Sequence, residues 1–200
     1  MFSKYDVYTT VQSVYCYHDT NILINLLGIK EHELLKKAEE EFTTIKLVEL
    51  AINPIKGRFT TAHLMKIHKF IFEDVYPFAG KIRREDIFKG KTRFTQNEMI
   101  KSELDRILTT LHADKLLKGL SKDAFANKLA YYMAELNVIH PFREGNGRAT
   151  REFIRVLAMH NGYILNWANV NKVEILESTI DSVFDATRLE KCLALALEQL

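Results

Sequence analysis

His140-Pro141-Phe142-Arg143-Glu144-Gly145-Asn146-Gly147-Arg148-Ala149-Thr150-Arg151 is the stretch on which the reading of this chain turns. Upstream of it, Ser121 has the chemistry of an N-cap, and Phe125, Leu129, Tyr132, Met133 and Leu136 recur at helical spacing. Pro141 disfavours helical backbone in the residue before it, so this helix should stop near Ile139 and leave His140 at its C-terminal end. A second helix is expected from about Gly147 to His160, closed by Gly162. Between them, Gly145 and Gly147 permit positive φ and let backbone N–H groups converge on an anion. The N-terminus of the second helix adds free donors and the positive end of its dipole. Arg148 and Arg151 are three residues apart and share a helix face, where two guanidiniums would match polyphosphate oxygens.

Glu144 supplies a hard anionic oxygen, and Mg²⁺ is commonly held by one or two carboxylates together with substrate phosphates. His140 has the chemistry to move a proton near neutral pH. Base, magnesium ligand, N–H nest and arginines together fit nucleotidyl transfer to a hydroxyl. A capped helix–loop–helix with surface salt bridges would account for the residue types but not for their convergence.

Outward from this segment the chain reads as all-α with one small hairpin. Leu34, Leu35, Ala38, Phe42, Ile45 and Leu50 form a helical stripe between Glu31 and Ala51, broken by Asn53-Pro54 and Gly57. Thr60-Thr61 can cap a helix striped by Leu64, Ile67, Ile71, Phe72 and Val75, which Pro77 would end. Alternation around Lys89-Gly90-Lys91 predicts a short hairpin within 82–95. Ile100, Leu104, Ile107, Leu108 and Leu111 mark a helix over 97–111, and another is expected near Val173–Val183. Thr187-Arg188-Leu189-Glu190 has the pattern of a capping box opening the last helix, with Leu193, Ala194 and Leu197 on its inner face. Residues 1–28, rich in Tyr, Thr and Asn and without a clean period, are expected to be an irregular arm on a single globular unit over 29–200.

Composition narrows the function classes. The chain has 200 residues, 47% hydrophobic and 27% charged, which are globular values with room for a sizeable core. With 28 basic and 26 acidic residues there is no strong field for nucleic acid. There is no apolar run long enough to span a membrane and no signal-peptide pattern, so a cytoplasmic protein is expected, with export through another signal left open. Cys16 and Cys192 are far apart and without a CxxC, which predicts two inert thiols. His63 and His68 are five apart, not at the spacing of a zinc helix, and read as helix-surface histidines; His18, His32, His112 and His160 have no partner at ligand spacing. The Lys/Glu-rich run 30–41 reads as a solvated helix face, and Tyr131-Tyr132-Met133 as core.

The segment 140–151 resembles the signature of the Fic (filamentation induced by cAMP) family, His-x-Phe-x-Asp/Glu-Gly-Asn-Gly-Arg-x-x-Arg, and matches it at His140, Phe142, Glu144, Gly145, Asn146, Gly147, Arg148 and Arg151. The likeness extends from about Leu27 to Val173 and takes in PFAGKIR at 77–83 and KGKTRF at 89–94. It implies a Fic-type helical bundle with a β-hairpin flap, and ATP-dependent transfer of AMP to a Ser, Thr or Tyr hydroxyl of a protein. By motif position, His140 would be the general base, Glu144 the Mg²⁺ ligand and Asn146 the holder of the α-phosphate. Gly145, Gly147 and Arg148 would form the anion hole, Arg151 would grip the γ-phosphate, and Phe142 would bury the loop.

The flap at 87–94 would pair with an extended segment of the protein substrate, or would simply cover the core. The resemblance also places Lys89, Thr92 and Phe94 beside ATP and Trp167 and Lys172 at its adenine end, with Asn137 one helical turn before the motif within reach of the nucleotide. Doc-type kinases carry Ala-Asn-Lys where this chain has Gly145-Asn146-Gly147, which argues against a kinase here. UMP or phosphocholine transfer, and a non-catalytic nucleotide-binding module, are the alternatives; the second has no use for His140. Many relatives are silenced by a helix bearing Ser/Thr-x-x-x-Glu-Gly/Asn. No Ser or Thr of these residues is followed by Glu at the fourth position, which implies a small separate antitoxin as partner of a toxin component or effector.

Overall fold

The computed structural model describes residues 13–89 and 92–200. Seven helices lie among these residues: α1 (His32–Ile52), α2 (Thr61–Phe72), α3 (Ile100–Ala113), α4 (Lys122–Ile139), α5 (Asn146–His160), α6 (Lys172–Asp181) and α7 (Thr187–Ala196). Strands β1 (Phe88–Lys89) and β2 (Thr92–Arg93) form the expected hairpin, pairing Phe88 with Arg93 and Lys89 with Thr92. Its turn residues 90 and 91, like residues 1–12 of the expected arm, lie outside the described residues.

The helices α4 and α5 form the centre. Helix α4 packs most extensively against α7, and α5 against α2. Helix α4 starts as read from the sequence: Ser121 Oγ accepts from the Ala124 N–H at 3.4 Å, and its inner face buries Phe125, Leu129, Tyr132, Met133 and Leu136. Helix α5 buries Ala149, Phe153, Ile154, Leu157 and Ala158 against both neighbours. Residues 13–31 run over one end of this core. Cys16 and Leu23 make an isolated antiparallel bridge, and the Asn25 amide donates to the carbonyls of Leu23 and Ile29. Both cysteines are free and buried.

Four local expectations are corrected. The apolar stripe of α1 faces the core only in part: Leu35 and Leu50 point inward, while Leu34, Phe42 and Ile45 are exposed. Two polar residues with buried partners, Glu39 and Thr43, share the inward face. The run 30–41 is therefore not wholly a solvated face. Helix α2 ends at Phe72, well before Pro77, and Thr60 sits at its N-cap without a side-chain cap bond. Thr187 is inside α7, with its hydroxyl on Asp185 Oδ1 at 2.6 Å, so no capping box forms. Finally, Leu197 belongs to a strand: β3 (Tyr163–Leu165) pairs antiparallel with β4 (Leu197–Gln199), a three-residue pairing too short to leave a period in the sequence.

Candidate active site

The His140–Arg151 segment is one loop between the end of α4 and the first turns of α5. His140 caps α4 in the left-handed region at φ 48°. Its Nδ1 lies 3.1 Å from the Asn137 carbonyl. A carbonyl only accepts, so Nδ1 carries a proton, and in the neutral ring the lone pair is then on Nε2, the tautomer that a proton acceptor needs. The imidazole stacks on Phe94, with ring centroids 3.8 Å apart and planes at 17°.

The loop is closed on itself. Asn146 Oδ1 accepts from the Phe142 N–H at 2.8 Å, and Asn146 Nδ2 donates to the Phe142 carbonyl at 2.7 Å. Phe142 is buried and stacks on His68 at 3.8 Å. Gly145 sits at φ +80°, and a Cβ there would come within 2.1 Å of Phe72 Cζ, so both backbone and space demand glycine. No side chain caps α5, and the N–H groups of Asn146 and Gly147 are left over by the helix's own ladder.

Glu144 is buried, and its Oε1 accepts from the Gly145 N–H at 2.9 Å. Arg148 Nη2 approaches the same oxygen at 3.6 Å, whereas Oε2 has no hydrogen bond among the described residues. One carboxylate oxygen beside a phosphate nest is the donor set that fits Mg²⁺ shared with substrate phosphates. Among the described residues there is no group of three His, Cys, Asp or Glu side chains that would hold a metal alone.

The two motif arginines differ. Arg148 reaches back to α1, with Nη2 2.5 Å from Glu39 Oε1 and Nη1 donating to Thr43 Oγ1 at 2.9 Å. Glu39 is fully buried, and its other oxygen accepts from the Tyr76 hydroxyl. Burial works against the charge of Arg148, yet Glu39 and Glu144 outweigh it and hold its pKa above the ordinary arginine value. Arg151 has no hydrogen bond or ion pair among the described residues. Its Nη1 would be 3.2 Å from a Cβ on Gly147. Burial, and then the charge of Arg148, push its pKa down to about 10.

Three side chains that position this loop escaped the sequence reading. His68 is buried, not on the helix surface. Its Nδ1 accepts from the Gly80 N–H at 2.8 Å and its Nε2 donates to the Glu144 carbonyl at 2.9 Å, between the rings of Phe72 and Phe142. His63 is buried as well, between the Phe59 N–H and the Ile55 carbonyl. Arg83 is 1% exposed and donates only to backbone carbonyls and those of the loop region. With His68 and Arg83, the third residue that holds the loop is Glu39. A charged residue inside an apolar stripe, as at Glu39 four residues before Thr43, was the available signal for it.

The outlying candidates are scattered. Phe94 is buried against His140. Thr92 is half-buried in β2; Lys89 is placed as backbone in β1, its side chain outside the described residues. Asn137 Nδ2 donates to the Thr179 carbonyl at 2.9 Å, so its amide is tied to α6. Trp167 packs against the core, and Lys172 is exposed at the start of α6. No helix among the described residues is long and apolar enough to cross a membrane.

Residues 58–158 match the family model described as Fic/DOC family. The chain is 41% identical over 175 residues to the protein adenylyltransferase VbhT of Bartonella schoenbuchensis, covering 88% of this chain and 37% of that one. It is 36% identical to the Salmonella typhimurium protein named "Probable protein adenylyltransferase Fic", over 78% of this chain and 77% of the other. Among solved structures, the Bartonella tribocorum VirB-translocated effector BepC with bound AMPPNP superposes with a TM-score of 0.87 at 25% identity, over 93% of this chain and 97% of that one.

Proposed function

The chain belongs to the Fic/DOC family, and from that premise we propose that it is a protein adenylyltransferase, moving AMP from ATP to a Ser, Thr or Tyr hydroxyl of another protein. The observation that carries the reading is Arg151. A guanidinium with its pKa depressed and no anion beside it, at the uncapped end of α5, is a site in want of a phosphate. His140 lies across the same loop with its lone pair on Nε2.

In this reading the target hydroxyl gives its proton to His140 Nε2 as its oxygen attacks the α-phosphorus. The bond to the bridging oxygen breaks and pyrophosphate leaves. The N–H groups of Asn146 and Gly147 receive the α-phosphate oxygens, and Arg151 the γ-phosphate. Arg148 acts by holding the loop to α1, since its side chain is committed to Glu39 and its N–H to the Gly145 carbonyl. Asn146 contributes chiefly by closing the loop on Phe142. Glu144 Oε2 would take Mg²⁺, which when bound offsets phosphate charge. The flap offers its edge to an extended segment of the target.

Regulation completes the reading. Glu39 reaches the first motif arginine, but among the described residues no carboxylate reaches Arg151. A small partner protein that sets a glutamate against Arg151 would compete with the γ-phosphate for one guanidinium, and it would act as an antitoxin. The test of the transferred group is incubation of the purified chain with labelled ATP, UTP or CDP-choline and a cell lysate. Labelling from ATP alone supports AMP transfer. Labelling from UTP or CDP-choline in preference would replace the donor while keeping the site.

A further inference from the structure

Arg83 lies outside the motif, at the end of the loop that follows α2, and its guanidinium is buried. Nε donates to the His140 carbonyl at 2.9 Å, Nη1 to the Glu85 carbonyl at 2.7 Å, and Nη2 to the carbonyls of Thr95 and, at 3.4 Å, Ile139. The backbone N–H of Arg83 donates to the Pro141 carbonyl at 2.9 Å. The nearest carboxylate, on Asp86, is 3.9 Å away. A cation is thus spent on backbone acceptors from three pieces of chain: the segment leading into the flap, the segment leading out of it, and the end of α4.

The choice of acceptors is informative. The last carbonyls of a helix lack amide partners and carry its negative dipole end, so a cation there is favoured. Here that end holds His140 in left-handed backbone, a conformation that a non-glycine residue keeps only when its surroundings enforce it. Thr95 adjoins Phe94, whose ring covers the His140 imidazole. The Thr95 N–H also donates to the Val138 carbonyl at 3.2 Å, so the segment leaving the flap is bonded to α4 beside Arg83's contacts. One planar fork therefore fixes the backbone of His140, the ring that stacks on it, and the two ends of the flap together.

We propose that Arg83 is a positioning residue that couples the flap to His140: it holds the imidazole in register with the peptide edge on which the target hydroxyl arrives. This rests on the reading of His140 as the base. Lysine would keep the charge but, with one nitrogen in place of a fork, could not span Glu85, Thr95 and His140 at once.

The test compares wild type with Arg83→Lys, Phe94→Leu and the double variant, scoring transfer rate, KM for ATP, thermal unfolding, and the ¹⁵N-resolved imidazole signals of His140. The expected result is a folded R83K protein with ATP KM within about threefold of wild type, transfer slowed by about 30-fold or more, and displaced or broadened His140 ring signals. The double variant should lose no more than about threefold beyond R83K, because both changes act on one arrangement. The proposal is overturned by R83K with near-wild-type transfer and unchanged ring signals, by R83K that cannot fold, or by losses in R83K and F94L that simply multiply. His140→Ala run in parallel separates the two ideas. Transfer by that variant would remove the base, while the ring signals of R83K would still report whether Arg83 positions the imidazole.

Discussion

Glu39 and Arg148 meet across 2.5 Å between the middle of α1 and the first turn of α5, with Thr43 and Tyr76 completing the hydrogen bonds. The pair joins α1 to the His140–Arg151 loop. It leaves Arg151, one turn further along α5, as the motif arginine with no partner among the described residues.

Arg148→Ala is expected to act on stability. It strands the fully buried Glu39 carboxylate, and removing one partner of a buried pair costs about 3–5 kcal/mol. Urea unfolding measures this directly. A change below about 1 kcal/mol, typical of an exposed ion pair, would contradict the structural role.

Arg151→Ala should do the reverse. No acceptor is left behind, so unfolding should shift little. Charge-assisted hydrogen bonds to phosphate are worth about 1.5–3 kcal/mol, so ATP affinity should fall by about 10-fold or more. AMP, which has no γ-phosphate, should lose much less. Calorimetry showing equal losses for both nucleotides would rule out the γ-phosphate assignment.

Gly145→Ala combines positive φ with a Cβ at 2.1 Å from Phe72 Cζ. Left-handed backbone and overpacking together cost about 2–5 kcal/mol. Because the loop carries Glu144 and the α5 N-terminus, nucleotide binding should weaken along with stability. A variant that melts and binds ATP like wild type would show that Phe72 yields easily.

His63 predicts a pH dependence. Burial, the dominant cause, and Lys66 lower its pKa below 6.5, against the Ile55 carbonyl and Glu152, which raise it. The unfolded chain therefore takes up a proton near pH 6.5 while the folded chain does not. Stability is fully present above that pH and declines as pH falls towards the lower folded value, by at most about 1.4 kcal/mol per pH unit. His63→Asn should reduce that slope between pH 6.5 and 5, leaving the part due to His68, whose pKa burial lowers to about 3. An unchanged slope would mean the ring takes its second proton within the fold.

How much of this was legible beforehand varied with the length scale of the signal. Helices α3, α4 and α5 were written in apolar spacing and in Ser121 and Pro141, and the structure has their ends within three residues. The His140–Arg151 loop was legible because its glycines, carboxylate and arginines are contiguous. The side chains that hold it were not, since Glu39, His68 and Arg83 lie 57 or more residues from the loop groups they bond. Helix α1 shows the limit of periodicity: Leu35 and Leu50 face inward as apolar markers should, but they share that face with Glu39 and Thr43, and Leu34, Phe42 and Ile45 are exposed. The pairing of β3 with β4 was invisible for a simpler reason, since three residues contain no period.

The central claim is that His140 Nε2 takes the proton of a protein hydroxyl during AMP transfer. The measurement that tests it most directly follows α-labelled ATP into protein, for wild type and His140→Ala side by side, with ATP binding determined on the same samples. Loss of a general base slows transfer by about 100-fold or more. The account predicts that loss with ATP affinity held within a few-fold, because the imidazole hydrogen-bonds Asn137 and stacks on Phe94 rather than gripping phosphate. Transfer by the His140→Ala protein at the wild-type rate would contradict it.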